Sequence, residues 1–86
     1  MEEEWKLLAQ HFHQIIELHK HFKQFNNGIP DQYKVDVKKA YAKWLYQREF
    51  IRNSVPEEAM PSLHQMITAL SKIRMDYFLA GINDVC

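Results

Sequence analysis

Cysteine is almost absent from this chain. The single thiol, Cys86, is the last residue of the sequence, so no intrachain disulfide can form and no CxxC pair exists. Glycine is nearly as scarce, with only Gly28 and Gly81. A loop that cradles phosphate needs several glycines so that the backbone can approach its ligand, which excludes the glycine-rich nucleotide motifs. Uninterrupted apolar runs are a few residues long, far short of the roughly 20 that cross a bilayer. An excess of one charge is also lacking. Eleven Lys and Arg balance eleven Asp and Glu, so no global field favours nucleic acid or an anionic membrane. Strand patterns are missing as well: the one Asn-Gly pair, Asn27-Gly28, follows a helical pattern rather than a β-branched run.

What is present is apolar, aromatic and periodic. Apolar residues make up 47% of the chain and aromatics 13%, too many for a disordered segment. At 86 residues one domain is expected, near the lower limit of independent folding. The start, MEEEWK, is acidic where a secretory leader would be basic and then apolar. With a lone thiol, this leads to the expectation of a cytoplasmic protein.

Three segments carry helical spacing. In residues 2–25, Leu7, Leu8, Phe12, Ile15, Leu18 and Phe22 share one face, with Trp5 and Ile16 at its margin. Glutamates at positions 2 to 4 and lysines at 20 and 23 complement the helix dipole, and Asn-Asn-Gly-Ile-Pro at 26–30 is a stop. Residues 31–53 carry a main stripe of Tyr33, Val37, Ala40, Tyr41, Trp44, Leu45 and Ile51. A second stripe, Val35, Ala42, Tyr46 and Phe50, lies on another face. Ser54 and Glu57 have capping-box spacing, so residues 54–60 predict a turn or a single helical turn. Pro61 then opens a helix over 61–80, because its missing N–H costs nothing in a first turn. Leu63, Met66, Ile67, Leu70, Ile73, Tyr77 and Phe78 are assigned to its apolar face, with the methionines as core filling, and Gly81 closes it before a tail of 82–86. The expected fold is all-α, a small three-helix antiparallel bundle, possible to complete by dimerisation.

Four of the five histidines fall within HFHQIIELHKHF, residues 11–22. A metal ion held on one helix needs ligands three or four positions apart. His11 and His13 differ by about 200° around the axis, and His11 and His19 by about 12 Å along it. No two of them can share an ion within the helix, and no metal or cofactor is expected. His13 and His21 flank Glu17 at i±4 on the polar face, which predicts imidazole–carboxylate bonds there. His11 and His19 fall inside the apolar face, flanking Ile15. Desolvation disfavours a charged ring, so these two are pH-sensitive candidates, at the core edge or at an interface.

Arg48 and Arg74 project from the apolar stripes. Their stems can cover apolar surface while the guanidinium reaches water, or they can pair with Glu17, Glu49 or Asp76 or anchor a partner. Lysines 34, 38, 39 and 43 with Arg48 and Arg52 make the second segment locally basic, but they spread around the wheel. Nucleic-acid binding through that face is the alternative reading, and a histidine-based metal- or proton-responsive module is another. Ser54, Ser62, Ser71, Thr68 and Cys86 sit in no recognisable nucleophile motif, so no catalysis is expected. The leading expectation is a cytoplasmic regulator, adaptor or inhibitor that binds another protein, or a second copy of itself, through Val35, Ala42, Tyr46, Phe50 and Arg48.

Overall fold

A computed structural model describes residues 2–25 and 28–82 of the chain. Asn26, Asn27 and the tail residues 83–86, with the Cys86 thiol, lie outside the described residues. Three helices form: α1 (Glu2–Lys20), α2 (Asp31–Phe50) and α3 (Met60–Leu79). No strand occurs among the described residues. Four cross-helix contacts set the directions. Gln47 Nε2 donates to the Glu4 carbonyl at 2.9 Å and Tyr33 Oη to the Leu18 carbonyl at 2.9 Å, so α2 runs back along α1. Tyr41 Oη donates to the Leu70 carbonyl at 3.2 Å and Tyr33 meets Tyr77, so α3 runs back along α2. The result is an up-down-up bundle.

The core is built on seams with alternating steps of three and four residues, narrower than the faces expected from the sequence. Trp5, Leu8, Phe12, Ile15, His19 and Phe22 make the α1 seam. Tyr33, Val37, Ala40, Trp44, Gln47 and the following Ile51 make that of α2, and Leu63, Met66, Leu70, Ile73 and Tyr77 that of α3. Such spacing keeps one stripe facing the neighbouring helices over several turns. Leu8, Ile15, Val37, Tyr41, Ile51, Tyr77 and Ile82 are fully buried. Tyr41 is buried beside the α2 seam, but Leu7, Met60, Met75, Phe78 and Leu79, off the seams, face solvent. The placement of Phe78 in the core and of Met60 and Met75 as filling is therefore corrected, while Met66 does pack against the core. Phe78 sits about 100° around the helix from Tyr77, beyond the reach of α1 and α2.

The helix ends also differ from expectation. α1 stops at Lys20, and Phe22–Gln24 tightens into a 3₁₀ turn, with bonds from Gln24 N to His21 O and Phe25 N to Phe22 O. The tighter turn lets Phe22 pack edge-on to Tyr77 at 5.2 Å and Phe25 edge-on to Tyr33 at 4.8 Å. α2 ends at Phe50 rather than 53, followed by a turn closed by Ser54 N donating to Ile51 O. The Ser54–Glu57 capping box does not form. A 3₁₀ turn over Glu57–Ala59 starts instead from extended Pro56, without a side-chain cap. Pro61 does lie in the first turn of α3. Gly81 (φ +87°) closes α3 as a Schellman motif. Its N–H bonds the Phe78 carbonyl, and the Ile82 N–H bonds the Tyr77 carbonyl at 2.8 Å. Ile82, 2% exposed, is the apolar lid on that cap.

Candidate interaction surfaces

The outward face of α2 is the first candidate. Val35, Ala42, Tyr46 and Phe50 follow one another at steps of seven, four and four, which centres them about 145° from the Tyr33–Trp44–Ile51 seam. Neither α1 nor α3 covers them. Tyr46 is 76% exposed and Phe50 66%, and Val35 and Ala42 are exposed beside them.

The second candidate is the His19 cluster at the end where α1 and α3 finish together. The His19 ring stacks on Phe22 at 5.4 Å, takes the edge of Tyr77 at 5.4 Å, and points Nε2 at Asp76 Oδ2, 3.4 Å away. Its Nδ1 is buried without a hydrogen-bond partner. Burial lowers the His19 pKa from its ordinary value; Asp76 opposes this, and the Lys23 ammonium adds to it. Behind the ring lies a tyrosine relay. Tyr33 Oη has one proton and gives it to the Leu18 carbonyl, so at 3.1 Å Tyr77 Oη must donate to Tyr33. Burial raises both phenols. The shared bond opposes burial at Tyr33, the acceptor, and adds to it at Tyr77, the donor. His11 is half-buried, with Nδ1 buried and unpartnered. It lies two turns from His19, so the two imidazoles form separate sites.

His13 and His21 are exposed on the polar face, and the expected imidazole bonds to Glu17 give way to a lysine. Lys20 Nζ lies 2.8 Å from Glu17 Oε1, its long flexible stem reaching the carboxylate from i+3. Among the described residues, no three His, Cys, Asp or Glu side chains converge to hold a metal ion. Among the same residues, no helix is long and apolar enough to cross a membrane.

Arg48 is half-buried, with its guanidinium 5.7 Å from the Trp44 ring centroid. Among the described residues, neither Arg48 nor Arg74 lies within ion-pair distance of a carboxylate. The three acids expected to pair with them are engaged elsewhere: Glu17 with Lys20, Glu49 with Arg52 at 3.6 Å, and Asp76 with His19. Gln47, a core residue that hydropathy alone misses, is 6% exposed and bonded to α1. The seam spacing 33-37-40-44-47-51 would have found it. No protein-family model, no curated protein and no solved structure matches this chain.

Proposed function

We propose that this protein is a small cytoplasmic interaction module, a regulator, adaptor or inhibitor without catalysis, which binds a protein partner through the outer face of α2. The observation that supports the reading is the exposure of Tyr46 and Phe50 on a helix whose opposite face already closes the bundle. An aromatic side chain buries about 150–250 Å². Weighted by their exposures of 76% and 66%, covering both removes roughly 200–350 Å² from water, worth up to about 5–9 kcal/mol. Association costs about 4–15 kcal/mol, so one such stripe needs a complementary apolar face. In a symmetric dimer the gain doubles, which makes a second copy an eligible partner. Lys39 and Lys43 border the stripe and give it a basic rim.

The test is site-specific photocrosslinking in the native cell, with a photoreactive phenylalanine analogue at Tyr46 or Phe50 and, as control, at exposed Gln65. The reading expects one discrete adduct from the two α2 positions, lost when the other aromatic is changed to glutamate. Equal labelling from Gln65, or none from α2, overturns it. The mass of the adduct separates a second copy from a different protein.

A further inference from the structure

The charges around the exposed stripe of α2 decide what covers it. Val35, Lys39, Ala42 and Tyr46 follow at steps of four, three and four, the spacing by which one helix seats another, and Phe50 extends the track by four more. From Val35 to Phe50 the ridge runs about 22 Å, roughly four helical turns. Lys38 and Lys43 lie about 70° to either side of it, at the flanking positions whose charges choose the partner in paired helices. Lys38, Lys39 and Lys43 are all exposed, and none makes an ion pair among the described residues.

The nearby acids are engaged elsewhere. Asp31 Oδ1 lies 4.0 Å from Lys34 Nζ, Asp36 Oδ1 accepts from Gln32 Nε2 at 2.9 Å, and Glu49 meets Arg52 at 3.6 Å. Lys39 and Lys43 also line the shallow groove between α2 and α1, where the α1 acid Glu17 is taken by Lys20. The face is therefore apolar and aromatic along its length, with three uncompensated cations in its middle. A second copy fits it badly. Lys38 to Lys43 span about 8 Å of the axis, so two fully overlapped stripes, parallel or antiparallel, bring two triply charged clusters within about a Debye length. Like charges so placed oppose pairing. A shift that separates the clusters uncovers either Val35 and Ala42 or the two rings. Because apolar burial on this stripe is of the same order as the cost of association, the sign of the flanking charge selects the partner.

We propose that the outer face of α2 docks an acidic amphipathic helix of another protein. The apolar side of that helix covers Val35, Ala42, Tyr46 and Phe50, and its flanking carboxylates meet Lys38, Lys39 and Lys43. This rests on the reading of the face as an interaction surface; it names the chemistry of the partner and sets the second copy aside.

Two three-heptad helical peptides serve as probes, alike in a leucine seam, with glutamate at the flanking positions of one and lysine at those of the other. Each is titrated into the ¹⁵N-labelled full chain at low and at high salt. The expected result is a saturable shift of the amides of residues 35–50 with the glutamate peptide, weakened by salt. The lysine peptide binds roughly tenfold more weakly or worse, since exposed ion pairs are individually small but three act together. The variant Lys38→Glu/Lys39→Glu/Lys43→Glu reverses the preference, with unchanged amide dispersion verifying its fold. Equal binding of the two peptides overturns the acidic partner and leaves the face an interaction surface. Binding of neither peptide, tighter binding of a short DNA duplex to the same amides, or self-association of the wild type that Tyr46→Glu/Phe50→Glu abolishes overturns it as well. Failure of the interaction surface itself is read separately, by the absence of photocrosslinks from Tyr46 and Phe50.

Discussion

The direction of the Tyr77–Tyr33–Leu18 relay predicts that two nearly identical substitutions have unequal costs. Tyr77→Phe removes a donor at the head of the chain. Tyr33 then loses only an accepted bond, and its own proton remains on the Leu18 carbonyl at 2.9 Å. The expected loss is that of one ordinary hydrogen bond, about 0.5–1.5 kcal/mol. Tyr33→Phe removes the middle of the chain. The Leu18 carbonyl is little affected, because the His21 N–H still reaches it at 3.1 Å. The Tyr77 hydroxyl is the casualty, since Tyr77 is 0% exposed and its one acceptor among the described residues is gone. An orphaned buried donor adds about 1–3 kcal/mol to the lost bond, for a total of about 2–4 kcal/mol. In the double variant no orphan remains, so its cost falls below that of Tyr33→Phe alone.

Urea unfolding of the four proteins, with equal slopes, measures this cycle. In a domain of this size 1 kcal/mol moves Tm by about 4–8 °C, so thermal scans resolve the same order. A Tyr77→Phe loss as large as that of Tyr33→Phe, or strict additivity in the double variant, refutes the assigned proton direction. The relay would then run the other way or carry no energy.

Three further outcomes are expected. His19 has a folded-state pKa below its unfolded one, so below that value the unfolded chain binds the extra proton first and stability rises with pH. The loss begins as pH falls below about 6.5, the unfolded value, and levels off beneath the folded value. Unfolding between pH 5 and 8 should show a flatter profile for His19→Gln, and an unchanged slope excludes His19 as the sensor. Tyr46→Glu/Phe50→Glu should leave monomer stability within about 0.5 kcal/mol, as surface changes do, while light scattering reports any loss of self-association. A large fall in Tm would place those rings in the core. Gly81→Ala should cost about 1–2 kcal/mol from its backbone alone. The φ of +87° disfavours any side chain there, although a Cβ would meet nothing within 4 Å.

The helices, their order and both glycine positions were legible in the sequence because each rests on a local cause. Dipole-matched charges, an N-terminal proline and three helical periodicities all act within a few residues. What escaped is non-local. A step of 100° spreads a face broad enough to include Leu7 and Phe78, but only contact with two neighbours selects the narrower seam that excludes them. The same selection draws in Gln47, whose polarity hid it: a bond to the Glu4 carbonyl, 43 residues away in the chain, is what allows an amide to hold a seam position. Helix ends escaped for a similar reason. α1 is cut short because Phe22 and Phe25 gain more by reaching Tyr77 and Tyr33 than by extending the helix.

His19 and Gln47 are the two polar residues that the seams admit, and their different treatment bears on function. Gln47 is neutral at every pH and sits near the open ends of α1 and α2 with its amide bonded. That is the pattern of a residue which fixes register, since a slipped helix would bury the amide unpaired. His19 is held by two aromatic rings and a half-exposed carboxylate, with one ring nitrogen unpartnered. A leucine at that position would pack at least as well, so stability alone does not account for an imidazole there. Protonation there would strengthen the tie to Asp76 while forcing a cation against Phe22 and Tyr77, so the two effects oppose each other. Burial outweighs Asp76, so the His19 pKa is lowered, and acid loosens the packing at the end of the bundle where α1 and α3 meet.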